Sequence, residues 1–455
     1  MSCTQSNFIN FSNEEKLAKI FEHRLRGSST RGRDGISATN LSELQISELI
    51  SSVSSSLSGD SFKFSPYREV LKLKNANQNP RIISIPTLRD RLVLAALSEF
   101  LRTEIPSIRF PTPQSRISDL KAMLNSGKYR DFLRLDIMAF YPSIEHSSVV
   151  NSLTEHGIAP DAVRLIVRAC ENPTLAAGFR TSATTGVTRG VPAGTALANV
   201  LGELVLQGLD SKINSISNVS YLRYVDDIVV LSPYGMRGKV RSEIVTGLRS
   251  LGLRAHPKKT REKSASGLVS KDAFDFLGYT FVNKGITIHK SRHFVLIDNL
   301  ARPITMLRRA IVEQRADIDA VRNKAEWWLN FRITGCISGG VRRGWLPYYS
   351  QIDNLSVLHH LDDVVRKLVS RLPSGQRVEP KSFLRSYTLI RDPRRDRDKY
   401  IVNFDEISDL KEMKRILQVA SDYSVAHDSE TVKKQFNRFV GSAIRELETD
   451  IGIVS

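Results

Sequence analysis

Residues 221–231 read Tyr-Leu-Arg-Tyr-Val-Asp-Asp-Ile-Val-Val-Leu, with two adjacent aspartates, Asp226 and Asp227, inside an otherwise apolar, β-branched and aromatic run. Such flanks favour paired strands, and a short carboxylate is tolerated in the connecting turn because it can hydrogen-bond its own backbone. The stretch is therefore expected to be a hairpin with both aspartates at its tip. Two neighbouring carboxylates repel unless a cation lies between them, and oxygen donors of this kind suit Mg²⁺ or Mn²⁺. An Asp-Asp pair alone also describes an ordinary solvated turn. A catalytic reading needs a third carboxylate on another strand and a surface for a phosphate-bearing ligand.

The third carboxylate comes from residues 132–137, Phe-Leu-Arg-Leu-Asp-Ile, a short strand pattern that sets Asp136 among apolar neighbours. Pro142 and Ser143 begin a turn or helix, so Phe140 and Tyr141 lie just beyond the strand end. The surface comes from residues 62–97, which read as strand, turn, strand and helix. Val70, Leu71 and Leu73 fall on the first strand, Asn-Gln-Asn-Pro at 77–80 makes the turn, 81–85 form the second strand, and the helix runs from Arg91. Arg68, Lys72, Lys74 and Arg81 gather on that hairpin, with Arg89 and Arg91 ahead of the helix. A cationic ribbon can reach over a triphosphate or a nucleic-acid backbone; the same pattern suits an exposed charged hairpin. Between the two aspartate strands, Gly190, Pro192 and Gly194 make a tight loop, and Thr195 is expected to cap a helix that turns Leu197, Val200, Leu201, Leu204 and Val205 inward. A loop of that composition lets backbone approach a base or sugar, and is also ordinary loop chemistry.

Working outward, residues 13–26 form a first helix, and the Arg-rich, Gly-rich loop 26–36 suits either a nucleic-acid backbone or a surface turn. The Ser-rich interval 51–58 reads as a helix end or connector, 240–251 as an amphipathic helix, and 273–281 as a strand with a glycine break. This alternation implies one α+β domain around an antiparallel sheet. Beyond Arg302 the pattern is mainly helical, with helices at 317–332 and 355–372. Between them lie Arg342, Arg343, Trp345, Tyr348 and Tyr349, which could grip nucleic acid by phosphate contact and stacking or could be core. The charged loop 391–399 marks a boundary, and the tail ends in a helix on Val432, Phe436, Phe439, Ala443 and Leu447.

With 455 residues the chain exceeds a single ordinary core. Its 66 Lys and Arg outnumber 48 Asp and Glu, for a formal charge of +18, which suits a polyanionic partner bound in a salt-sensitive way and also describes a merely soluble basic protein. Cys3, Cys170 and Cys336 are too few and too far apart for a disulfide framework or a zinc site, which fits a reducing, cytoplasmic setting. Neither a secretory leader nor a membrane-spanning run is expected, so no membrane partner is.

Taken in order, these pieces resemble a reverse transcriptase of the bacterial group II intron and retron superfamily. Tyr-Val-Asp-Asp at 224–227 matches that family's Tyr-x-Asp-Asp, and 135–141 matches the strand holding its first catalytic aspartate. The remaining matches fall in the family's sequence order: Gly-Arg-Asp-Gly at 32–35, Pro-Arg-Ile-Ile-Ser-Ile-Pro at 80–86, Gly-Val-Pro-Ala-Gly at 190–194, His-Pro-Lys-Lys-Thr at 256–260 and Phe-Leu-Gly-Tyr at 276–279. Within the family, the chain most resembles the abortive-infection and defence-associated branch. The resemblance implies a right-hand polymerase: an N-terminal extension and fingers over 1–130, a palm over 131–295 with a fingers insertion around 150–185, a helical thumb over 296–390, and a helical C-terminal region over 391–455. It implies RNA-directed DNA synthesis with two Mg²⁺ ions, catalysis by Asp136, Asp226 and Asp227, and metal contacts from those three and Ile137. Asp136 and Asp226 would bridge the ions, with Asp227 in support. Nucleotide contacts would come from Lys72, Lys74, Arg81, Tyr141, Ala193 and Lys259, with Tyr141 excluding a 2′-hydroxyl; primer and template contacts would come from Tyr224, Gly194, Leu277 and Gly278. An RNA, whether template or dedicated noncoding RNA, the DNA product and dNTPs are the implied partners, with a homo-oligomer or a partner protein left open. Where the family usually has Gln, this chain has Ala193, which leaves template dependence open. The alternatives are untemplated or protein-primed synthesis in anti-phage defence, and a non-catalytic RNA-binding scaffold.

Overall fold

The computed structural model describes residues 8–73, 80–179, 187–257, 263–283, 285–396, 399–422 and 424–451. Lys74 and Lys259 lie outside the described residues, as do Asn77, Gln78 and Asn79 of the expected turn. The chain divides into two compact units, residues 1–112 with 127–266 and residues 113–126 with 267–455.

At the centre of the first unit is a four-stranded sheet in the order β5-β6-β3-β7, built from β3 (Asp131–Asp136), β5 (Ser220–Tyr224), β6 (Asp227–Ser232) and β7 (Ser264–Leu268). The unit boundary falls inside β7. β6 runs antiparallel to both β3 and β5. Ile228, Val229, Val230 and Leu231 are all buried, the continuous apolar run expected of a strand covered on both faces. The helices Leu88–Glu104 and Ala198–Asn214 supply much of that core. A second sheet joins β1 (Tyr67–Lys72) and β2 (Arg81–Ile85) as the expected antiparallel hairpin, with β4 (Thr174–Leu175) parallel to β1.

Several local expectations are corrected. The helix expected from Arg91 begins at Leu88, because the Thr87 side chain accepts from Asp90 N–H and caps it. Thr195 does not cap the next helix, which starts at Ala198; its hydroxyl donates to the Pro192 carbonyl and closes the preceding turn. In the loop 26–36, Arg33 donates to the carbonyls of Leu175, Ala176 and Phe179, while Arg91 donates to Thr30 O and Ser28 Oγ. These cations fasten chain to chain. Between them Gly32 lies flat on the start of the Leu88–Glu104 helix: a Cβ there would sit 2.6 Å from Thr87 Cα and 2.8 Å from Pro86 O, both backbone atoms that cannot yield. Gly32→Ala is expected to cost about 1–3 kcal/mol by overpacking, read as a lower urea midpoint at unchanged slope.

The second unit holds the helix Pro113–Asn125 and then β8 (Phe274–Phe276), β9 (Tyr279–Val282) and β10 (Gly285–Ile288), an antiparallel meander. The single strand expected over 273–281 is thus two strands. Leu277 (φ 49°) and Gly278 (φ 82°) both turn left-handed and make the tight hairpin between them. A small sheet follows, of β11 (Cys336–Ser338), β12 (Val341–Arg343) and β13 (Val402–Asn403). The rest is mainly helical, including Lys290–Val312, Ile318–Thr334, Ser356–Val369 and Ser429–Ile451. Trp345 and Tyr349 are fully buried and Tyr348 nearly so, so these aromatics belong to the core. The C-terminal helix is fastened from inside the unit: buried Asp450 accepts from Asn299 Nδ2 at 2.6 Å and is ion-paired with buried Arg332. Cys170 and Cys336 are free and buried, and burial pushes both thiols up to about 12. Among the described residues no helix is long and apolar enough to cross a membrane.

Candidate active site

The register of the central sheet assembles the site. Asp136 ends β3 and lies opposite Asp227, which begins β6; Tyr224, ending β5, is Asp227's other neighbour. The hairpin is present as expected, but its two-residue turn is Val225 and Asp226, so that only Asp226 sits at the tip and Asp227 is the first residue of β6. Ile137 N–H donates to the Asp226 carbonyl at 3.0 Å, tying the end of β3 to the hairpin tip. Two stretches some ninety residues apart in sequence thus bring the three carboxylates to one end of one sheet.

The three acids are not equivalent. Asp227 is held by Arg134, whose Nε donates to Oδ1 at 3.1 Å and Nη2 to Oδ2 at 3.3 Å, so both carboxylate oxygens are engaged. Burial still pushes Asp227 up to about 6, with Arg134 opposing. Asp136 is ion-paired with Lys263 and has His256 Nε2 3.3 Å from Oδ1; His256 N–H also donates to the Asp136 carbonyl. Asp226 has no ion pair within 4.0 Å among the described residues. Burial first, and then the Asp136 charge, raise its pKa, with Lys263 and Arg81 opposing from further off. A carboxylate that is costly to ionise beside a second carboxylate is a place where a divalent cation relieves repulsion, so the donor set of Asp136 and Asp226 fits a hard metal ion. Among the described residues no group of three or more His, Cys, Asp or Glu is arranged as a metal cage.

The other expected contacts fall as follows. Lys72 and Arg81 face each other across the β1–β2 register, and Arg81 is close enough to Asp226 to bear on its charge. Burial and the neighbouring Arg81 lower the Lys72 pKa. Ala193 O accepts from Ser84 N–H at 2.8 Å, which lays the Gly190–Gly194 loop along β2. Gly194 (φ 91°) is required there, since a Cβ would meet Ile83 Cγ2 at 2.6 Å. Tyr141 stands in a short helix, Phe140–Ser143, reached through left-handed Ala139. Its hydroxyl donates to Asn199 Oδ1 at 2.5 Å, and burial and the Asp226 charge raise its pKa. Leu277 and Gly278 belong to the second unit, where Tyr348 Oη donates to Leu277 O and His289 N–H to Gly278 O.

The sequence pattern does not single out Arg134, Asn199, Arg223 or Lys263. Arg134 was within reach, because residues two apart on a strand share a face and Arg134 precedes Asp136 by two. Lys263 carries no local signal, and His256, although it opens the His-Pro-Lys-Lys-Thr stretch, carries none that ties it to Asp136; both arrive through the partners of β3.

Residues 72–281 match the family model described as reverse transcriptase (RNA-dependent DNA polymerase). No curated protein matches the chain. Among solved structures it is similar to apo telomerase from Candida tropicalis truncated from its C-terminal domain, at 14% identity and a TM-score of 0.35 over 49% of this chain and 56% of that one. It is also similar to telomerase from Candida albicans in complex with a TWJ fragment of telomeric RNA, at 12% identity and a TM-score of 0.37 over 79% of this chain and 67% of that one. The chain thus spans little more than half the length of the first of these. The antiparallel sheet holding Asp136, Asp226 and Asp227 lies inside the matched residues, so that the stretch similar to a reverse transcriptase domain carries the fold of a right-hand polymerase and is followed by a helical C-terminal region.

Proposed function

We propose that the chain is an RNA-directed DNA polymerase whose nucleotidyl transfer takes place at Asp136 and Asp226. The observation that carries this reading is half-buried Asp226, without an ion pair among the described residues, set beside Asp136 at the end of the central sheet. Asp136 and Asp226, with the Ile137 main chain beside them, would hold Mg²⁺, or Mn²⁺ in its place. Bound there, the ions supply activation of a primer 3′-hydroxyl and charge stabilisation of the leaving pyrophosphate. Asp227, fastened by Arg134, stiffens the hairpin tip beneath them. Arg81 and Lys72 present cations to the triphosphate, whose developing charge needs fixed positive partners; Lys74 and Lys259 are assigned with them from the family resemblance. Tyr224, Gly194, Leu277 and Gly278 are assigned to primer and template, and the thumb and C-terminal region to residues 296–390 and 391–455. The surplus of 66 basic over 48 acidic residues supports an RNA partner, and the likeness to the abortive-infection branch supports a role in anti-phage defence with a noncoding RNA.

Tyr141 is assigned as the sugar gate. Tyr141→Ala is expected to raise the ratio of ribonucleotide to deoxynucleotide kcat/KM by about 10- to 100-fold; single-nucleotide extension kinetics with each sugar checks this, and an unchanged ratio removes the gate.

A second reading, untemplated synthesis, is favoured by Ala193, which stands where the family it resembles usually has Gln and whose carbonyl is already committed to Ser84. Purified chain with co-purifying RNA, Mg²⁺ and labelled dNTPs, singly and together, separates the two once the product is sequenced. DNA complementary to an RNA supports templated synthesis, a homopolymer or simple repeat supports the second reading, and no incorporation under any priming condition sinks both.

A further inference from the structure

The Arg223 guanidinium is buried and every one of its N–H groups is used. Nε donates to Asp210 Oδ1 at 2.9 Å, Nη1 to Glu203 Oε1 at 2.9 Å, and Nη2 to Glu203 Oε2 at 2.7 Å and Asp210 Oδ2 at 2.5 Å. The remaining Nη1 hydrogen goes to the carbonyl of Val225 at 3.0 Å. Glu203 and Asp210 lie two turns apart on the Ala198–Asn214 helix, and Tyr221 Oη donates to Asp210 Oδ1 at 2.7 Å, so the fork is itself held from both sides. Val225 is the residue before Asp226, and its φ is 56°. A β-branched side chain in the left-handed region is a backbone outlier that persists only when its surroundings over-determine it. Two hydrogen bonds do so here: Arg223 holds the Val225 carbonyl, and Ile137 N–H holds the Asp226 carbonyl.

Resting on the metal assignment above, we infer that Arg223 is a positioning residue: clamped by Glu203 and Asp210, it keeps Val225 in its strained conformation and so aims the Asp226 carboxylate at the metal. The guanidinium touches no reacting atom and acts through the turn. Were the anchor lost, Val225 would relax to negative φ and rotate Asp226 away from Asp136. Lysine at 223 keeps the charge but presents a single point donor, unable to serve two carboxylates and a carbonyl together. Glycine at 225 adopts positive φ without strain and would hold the turn without the anchor.

Mn²⁺ binding, read as free Mn²⁺ by electron paramagnetic resonance, tests this in wild-type chain, Arg223→Lys, and Arg223→Lys with Val225→Gly; it needs no turnover. The expected result is Mn²⁺ affinity weakened about tenfold or more in Arg223→Lys and largely recovered in the double variant, with the half-saturating Mg²⁺ for incorporation moving in parallel. If Arg223 only stabilises the fold, the glycine recovers nothing; that result, or wild-type affinity in Arg223→Lys, overturns the inference. Should Arg223→Lys not fold, Glu203→Gln leaves the arginine in place with one clamp lost, and the same recovery by glycine is expected. Wild-type chain that binds no Mn²⁺ overturns the metal assignment instead, which keeps the two failures apart.

Discussion

Asp226→Asn is expected to lower DNA synthesis by about 10³-fold or more while leaving the chain at least as stable as before. Both halves follow from one observation. Burial and the Asp136 charge raise the Asp226 pKa, so its ionised form is costly in the folded chain at neutral pH. An amide keeps the shape, removes the repulsion and removes the charged ligand. Primer extension and a urea midpoint in EDTA on the same preparation measure the two together. Lost synthesis with equal or higher stability marks a group kept for chemistry at the expense of the fold. Robust synthesis by the variant would remove Asp226 from the reaction, and a large fall in stability would show it to be a structural carboxylate.

Arg134→Met is expected to lower stability instead of sparing it. Arg134 and Asp227 side chains are 11% and 14% exposed, and the arginine engages both oxygens of the acid. Removing the cation strands a nearly buried carboxylate already pushed up to about 6, and breaking such a pair from one side costs about 3 kcal/mol. Adding Asp227→Asn to Arg134→Met removes the stranded charge and is expected to return part of that loss. Urea unfolding of the two single variants and the double variant closes the cycle, and additive changes would mean the pair is not coupled. Synthesis by Arg134→Met should fall as well, since a released Asp227 can compete with Asp226 for the ion.

Much of this site is legible in the amino-acid sequence. The hairpin over 221–231, the strand carrying Asp136 and the cationic β1–β2 ribbon all follow from local alternation and turn chemistry, and each appears where expected. What local pattern could not say was which charges serve the fold. Arg33 and Arg91 sit in and beside a loop whose composition suited nucleic acid, yet they donate to nearby backbone and hydroxyl groups, because sequence records a cation but not the carbonyls that converge on it. The same holds for Trp345 and Tyr349, whose burial depends on helices far away in the chain. Lys263 and His256 reach Asp136 only through the partners of β3, and the turn at Leu277 and Gly278 was hidden because one glycine inside an apolar run reads as a break before it reads as a hairpin. Arg223 was in plain view inside the opening stretch. Its role emerged only with Glu203 and Asp210 on the neighbouring helix and Val225 at positive φ.

The most direct measurement of the central claim is anomalous diffraction from crystals of the chain with Mn²⁺, a primed RNA template and a non-hydrolysable dNTP. Manganese peaks are expected in contact with carboxylate oxygens of Asp136 and Asp226, with Asp227 still on Arg134 and the nucleotide's phosphates toward Arg81. Manganese on Asp227 with Arg134 displaced, or no manganese at these aspartates while nucleotide is bound, would contradict the claim.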